Sequence, residues 1–181
     1  MTQPTHSSSQ RKIPMSRIAV AVAVVGLFVL GSYLLQDGPL KSGTVAPAWK
    51  LSRVNGAQDA VSMEGLRGKV VILDFWSTSC PPCLMQIPVL QRLQQRFPND
   101  VTVVGVAVGG ETPAQLQRFA TARKMTYAVV ADLRGIAATA YNVSRLPTLF
   151  VVDRDGVIAA SHEGFWEEQS LLQVIAEEVG R

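Results

Sequence analysis

The sequence predicts an α/β fold, a central mixed sheet covered by helices on both faces and preceded by one transmembrane helix. Residues 18–35 run 18 positions without a charge. Two later stretches, 70–76 and 101–108, are almost continuously apolar and rich in β-branched residues, the pattern of strands covered on both faces. Around them, segments of helical spacing alternate with short β-prone runs, and the chain closes on a strand, a turn, a strand and a helix.

The elements follow in chain order. Residues 1–17 form a polar tail with Arg11, Lys12 and Arg17, and 36–45, with Gly38, Pro39, Gly43 and Thr44, read as a linker. Residues 48–54 and 57–61 flank Asn55-Gly56, the signature of a tight-turn hairpin. A polar connection over 62–69 leads into the strand at 70–76. From Cys80 to Phe97 the residues Leu84, Ile87, Leu90, Leu93 and Phe97 recur at helical spacing, and Pro98-Asn99-Asp100 stops the helix. After the strand at 101–108, Thr112, Pro113 and Gln115 supply an N-cap, a first-turn proline and a capping box for a helix to about Lys124. A strand at 127–131, a helix at 133–141 and a buried strand at 148–152 follow. The turn Asp153-Arg154-Asp155-Gly156 leads into a strand at 157–161. The closing helix, 166–179, has Leu171, Leu172, Ile175 and Val179 as its inner face.

A helix over 18–35 would be about 27 Å long, sufficient to cross a hydrocarbon core. The other reading is a cleavable signal peptide, but Gln36-Asp37-Gly38-Pro39-Leu40 offers no small-residue cleavage site. An uncleaved anchor is therefore expected, with a cytoplasmic tail at 1–17 and one domain at 46–181. All 14 acidic residues and 14 of the 17 Lys and Arg follow the apolar run, so the net +3 belongs to the tail. That asymmetry keeps the tail in the cytoplasm and carries the large C-terminal part across, to the periplasmic side of a bacterial inner membrane. The formally neutral domain removes the case for a nucleic-acid partner.

Cys80 and Cys83 are the only cysteines. They stand two residues apart, just after the apolar strand. A strand that ends in Ser77-Thr78-Ser79 and then opens a helix places Cys80 at a helix N-terminus, where free backbone N–H groups favour a thiolate. Cys83 lies one turn further on, in reach of a mixed disulfide at Cys80. Pro81 and Pro82 suit the first turn and stiffen the loop between the sulfurs. The competing readings are half of a zinc site and a passive staple. Zinc needs four ligands, and His6 and His162 are expected on opposite sides of a membrane. A staple over so short a loop adds little chain-entropy stabilisation. No metal or other cofactor is expected beyond the redox disulfide.

Trp76-Ser77-Thr78-Ser79-Cys80-Pro81-Pro82-Cys83, the strand before it and Arg145-Leu146-Pro147-Thr148 together resemble the thioredoxin superfamily. The anchor, the hairpin, the extra βα unit over 101–131 and the run from Pro147 to Gly156 resemble the TlpA/ResA/DsbE group of membrane-anchored extracytoplasmic thiol-disulfide oxidoreductases. The resemblance covers nearly everything from about Gly43. It implies a thioredoxin fold with an N-terminal hairpin and an inserted βα unit. It also implies Cys80 as the attacking thiol, Cys83 as the resolving thiol and Pro147 as a cis-proline presenting backbone to a client. Read from the residue alone, Pro147 is equally a strand-entry proline. Asp74, an ionisable group inside an apolar strand, is implied to be a buried base for Cys83, the alternative being a strand-edge aspartate that reaches solvent. Trp76, Pro81, Pro82, Leu146 and Pro147 would form the client surface. Trp49, Phe165 and Trp166 read as packing residues. Two positions depart from the family: Gln86 replaces a glutamate common three residues after the second cysteine, and Ser79 replaces a tryptophan common before the first.

The resemblance implies a reductant of protein disulfides, of the kind that serves cytochrome c maturation and is recharged by a membrane electron donor. The same residues with the opposite poise would make a disulfide donor. A copper-handling protein would use the two thiolates, with His162 as the only added ligand across the membrane. A thiol peroxidase would need a threonine and arginine constellation that the sequence around Cys80 does not offer.

Overall fold

A hairpin opens the domain: β1 (Lys50–Ser52) pairs antiparallel with β2 (Ala60–Ser62), and a 3-10 turn at Glu64–Leu66 follows. The computed structural model describes residues 22–27, 38–56 and 59–181, which belong to two units, Met1–Asp37 and Gly38–Arg181. In the first unit, residues 22–27 are helical. The expected span at 18–35 otherwise lies outside the described residues, and no helix among those described is long and apolar enough to cross a membrane.

In the second unit the central strand is β3 (Val70–Trp76), with all seven residues buried. It runs parallel to β4 (Val101–Ala107), which runs parallel to β5 (Ala128–Ala131). On its other side β3 is antiparallel to β6 (Thr148–Val152), which pairs antiparallel with β7 (Ile158–Glu163). The sheet order is β5-β4-β3-β6-β7. Helices α1 (Pro81–Arg96), α2 (Pro113–Ala122), α3 (Ile136–Ala140) and α4 (Glu168–Val179) connect and close it. The expected mixed α/β fold is present.

Side-chain alternation along the strands sorts the core into two layers. Ile72 and Trp76 of β3, Val103 of β4 and Leu149 of β6 meet Cys83 and Leu90 of α1, Leu116 of α2 and Leu171 and Ile175 of α4. Leu73, Phe75, Val104 and Phe150 face the other way, toward the hairpin residues Trp49 and Leu51 and toward Ala137 and Tyr141. There Phe75, Tyr141 and Phe150 lie 5.0–5.7 Å apart between ring centroids. Asp74 shares the parity of Ile72 and Trp76, so its carboxyl enters the layer under α1.

Three elements differ from their sequence readings for physical reasons. The hairpin connection is not a two-residue turn at Asn55-Gly56, because Asn55 is used at long range. Its Nδ2 donates to the Tyr127 carbonyl at 2.9 Å and its Oδ1 accepts from Val129 N–H at 2.8 Å, tying the loop to the edge of β5. The helix read at 133–141 starts later, at Ile136, because Asp132 caps it: Oδ1 accepts from Ile136 N–H and Oδ2 from Ala138 N–H. The closing helix starts at Glu168 rather than 166, since the Trp166 backbone is held by Gln86. The capping box is as read, with Gln115 N–H on Thr112 Oγ1 at 3.3 Å and Thr112 N–H on Gln115 Oε1 at 2.8 Å.

Candidate active site

Trp76 ends β3, and Ser77 to Ser79 lift the chain to the N-terminus of α1, with Cys80 as the N-cap residue in extended conformation. Cys80 Sγ accepts from Cys83 N–H at 3.3 Å, and Pro81 and Pro82 fill the first turn, where a missing N–H leaves nothing unpaired. The two sulfurs are joined in a disulfide, with 5.3 Å between the Cα atoms. Their surroundings are unequal. Cys80 is half-buried beside exposed Ser79 and Pro81, whereas Cys83 is 0% exposed. An incoming disulfide reaches Cys80 and not Cys83. Ser79, in the place of the family's tryptophan, leaves the approach to Cys80 open.

Register brings the second loop to the same end of the sheet. Thr148 of β6 pairs with Phe75 of β3, so Leu146 and Pro147 come in at the end of β3 from which the chain departs for Cys80. The Leu146–Pro147 peptide bond is cis. Pro147 is buried and its carbonyl accepts from Gly164 N–H at 2.7 Å, while Leu146 is half-buried. Pro81, Pro82 and Leu146 thus keep some exposed surface near Cys80. Trp76 does not: it is 0% exposed and packs on Phe119 with ring centroids 5.5 Å apart, so it cannot be part of a client surface. Its even position in β3 sends it into the core beside Asp74.

Asp74 is 0% exposed, and neither carboxyl oxygen has a hydrogen-bond partner among the described residues. The strand-edge reading is thereby corrected. Burial without a compensating partner pushes its pKa from an ordinary 3.8 to about 8. The group therefore holds its proton below about pH 8 and ionises in the range where a thiol does.

Gln86, at the position of the missing glutamate, is also 0% exposed. Its Oε1 accepts from Trp166 N–H at 2.8 Å and its Nε2 donates to the Trp166 carbonyl at 3.3 Å. A carboxylate could accept but not donate there, so the amide matches a backbone that offers one of each. The Trp166 ring stacks on His162 at 5.0 Å, and His162 Nε2 lies 3.2 Å from the Phe165 carbonyl. Trp166 and Trp49 are core residues, 7% and 5% exposed, and Phe165 is half-buried. Among the described residues no group of three or more His, Cys, Asp or Glu is placed to hold a metal.

Sequence reasoning missed Glu111. Its Oε1 accepts from Thr78 N–H at 2.6 Å and from Thr78 Oγ1 at 2.7 Å, pinning the loop two residues before Cys80. Burial raises its pKa, but the Thr78 hydrogen bonds and the backbone N–H groups at 109 and 111 outweigh that, leaving it below the ordinary range. The only local signal was an acidic residue next to a helix cap. Its partner lies 33 positions earlier.

A sequence profile of the AhpC/TSA family matches residues 42–161. The thioredoxin-like protein YneN of Bacillus subtilis is 28% identical over 158 residues, covering 86% of this chain and 91% of the relative. The thiol-disulfide oxidoreductase ResA of Geobacillus kaustophilus is 30% identical over 142 residues, covering 78% of this chain and 80% of the relative. A solved structure from Chlorobium tepidum, assigned as a thiol:disulfide interchange protein DsbE, superposes with a TM-score of 0.72 at 29% identity, covering 78% of this chain and 99% of that one.

Proposed function

Since the chain belongs to the AhpC/TSA family and is a thiol-disulfide oxidoreductase of the thioredoxin type, we propose that it is a membrane-anchored reductant of extracytoplasmic protein disulfides. The observation that carries the chemistry is the asymmetry of one dithiol: Cys80 half-exposed at a helix N-cap, and Cys83 fully buried one turn on, in the layer that Asp74 enters.

In the cycle, the Cys80 thiolate attacks one sulfur of a client disulfide. A Cys80–client disulfide forms, and the other client sulfur leaves as a thiolate that takes a proton from solvent. Cys83 then gives its proton to the Asp74 carboxylate and attacks Cys80 Sγ. The mixed disulfide breaks, the second client thiolate leaves, and the Cys80–Cys83 disulfide seen here remains. Two electrons have passed from the dithiol to the client. A dithiol donor in the membrane closes the cycle by reducing Cys80–Cys83. Pro81, Pro82 and Leu146 border the client beside the buried Pro147, and haem-attachment cysteines of c-type cytochromes are clients of the fitting chemistry.

Anchoring rests on the uncharged run 18–35 behind Arg11, Lys12 and Arg17. It is supported by the helical segment 22–27, whose Val22, Val24, Val25 and Leu27 are 60–70% exposed. The test is a membrane-impermeant maleimide applied to cells whose outer envelope alone is opened. Cys80 is expected to label without prior reduction. Labelling only after cell lysis would place the domain in the cytoplasm, and labelling only after added reductant would mark a disulfide donor.

A further inference from the structure

In the layer under α1, Asp74 of β3 sits in one row between Leu149 of β6 and Gly105 of β4. Gly105 has no side chain, and two rings close over it from the neighbouring rows. A Cβ there would stand 2.9 Å from Trp76 Nε1 and 3.2 Å from Tyr127 Cε2. Both Asp74 carboxyl oxygens, Trp76 Nε1 and the Tyr127 hydroxyl are buried, and none has a hydrogen-bond partner among the described residues. Buried polar atoms are nearly always paired, so four orphans around one glycine require an account. With Asp74 ionised, two are donors and two are acceptors, the set that a buried water bridges. The Tyr127 ring has a packing role, being 2% exposed in the core. Its hydroxyl makes no bond that holds the fold.

We propose that Tyr127 is a positioning residue of the exchange reaction: through buried water, its phenol and the Trp76 indole N–H donate to the Asp74 carboxylate and hold it ready to take the Cys83 proton. The inference rests on the reading of Asp74 as that acceptor. The proton that leaves Cys83 sulfur binds an Asp74 oxygen, and it departs along the same water when the carboxylate is restored. The ionisable groups facing Asp74 are few. Cys83 of α1 and Tyr127 at the entry to β5 are buried in the same layer, and His162 of β7 lies two strands away in its row. Packed in this layer are Leu116 and Phe119 from α2, and α4 brings Leu171, Ile175 and a Glu178 paired with Arg181. Burial first and the Asp74 charge second push the Tyr127 phenol well above its ordinary value, so it remains a protonated donor within the carboxylate's field.

The test is stopped-flow reaction of the reduced full-length protein with 5,5′-dithiobis(2-nitrobenzoate) from pH 5.5 to 9.5. The first thiolate released reports attack by Cys80, and the second reports closure by Cys83. In Tyr127→Phe the pH limb of the second phase is expected to move up by about half to one pH unit, slowing closure at pH 7 about three- to tenfold. The first phase should be unchanged, which also reports an intact fold. A second phase that superimposes on wild type overturns the inference. Asp74→Asn separates the two ideas: if it removes the limb while Tyr127→Phe does not move it, only the Tyr127 role is lost. If Asp74→Asn leaves the limb intact, the role of Asp74 as acceptor fails, and the inference with it.

Discussion

Cys80→Ser is expected to reduce the turnover of a protein disulfide to the uncatalysed background, whereas Cys83→Ser keeps the first half of the reaction and stops there. The two sulfurs differ in access, not in type. Cys80 is half-buried at the N-cap of α1 and Cys83 is fully buried one turn on. Serine at 80 removes the only thiol that a client can reach, and a hydroxyl does not become a nucleophile toward sulfur at neutral pH. Serine at 83 leaves the mixed disulfide without its resolving group, so one client is held per chain. Mass spectrometry of the alkylated protein after mixing with an oxidised client reads both results. The expected adduct is one client mass on Cys80 in Cys83→Ser, released by dithiothreitol, and none in Cys80→Ser.

Asp74→Asn is expected to remove most of the pH dependence of stability above pH 5. Folding moves this carboxyl from an ordinary 3.8 to about 8. Below about pH 4 both the folded and unfolded states carry the proton, and burial adds no ionisation penalty. Between about 4 and 8 the unfolded chain ionises while the folded one holds its proton, so stability falls steadily as pH rises. Above about 8 the loss is complete, because the folded and unfolded chains are then both ionised and the folded protein carries the full desolvation cost of a buried carboxylate. From pH 5 to pH 9 the loss spans about 3 pH units, or roughly 4 kcal/mol. That is a large share of the roughly 5–15 kcal/mol typical of a domain. Urea denaturation of the disulfide form, in which neither cysteine titrates, is expected to show this fall in wild type. The amide that replaces the carboxyl cannot ionise, so the variant's curve should be nearly flat over the same range. Parallel wild-type and variant curves would mean that Asp74 reaches water.

What the sequence made legible was local. An apolar run broken by one aspartate, a turn, and two cysteines one helical turn apart each carry their meaning within about a dozen residues, and all appear where read. Thr112 and Gln115 did the same for α2. What it hid was carried by register and long-range pairing. The resemblance puts Trp76, which adjoins the motif, on the client surface, yet strand alternation turns it inward with Asp74. Asn55-Gly56 has turn chemistry, but Asn55 is bonded to residues more than 70 positions away. Gln86 shows its partner only when α1 and Trp166 meet. Tyr127, at the start of the short strand read at 127–131, carries no local signal of a role; Gly105, from a different strand, leaves room for its ring and that of Trp76.

In the proposed direction of flow, this dithiol gives electrons to its clients. The reduction potential of Cys80–Cys83 in the full-length protein, read by counting free thiols after equilibration in defined thiol buffers, tests it most directly. A potential near or below about −250 mV, on the thioredoxin side, is the expected result. A value near about −120 mV, where DsbA lies, would contradict it and make the same residues a disulfide donor.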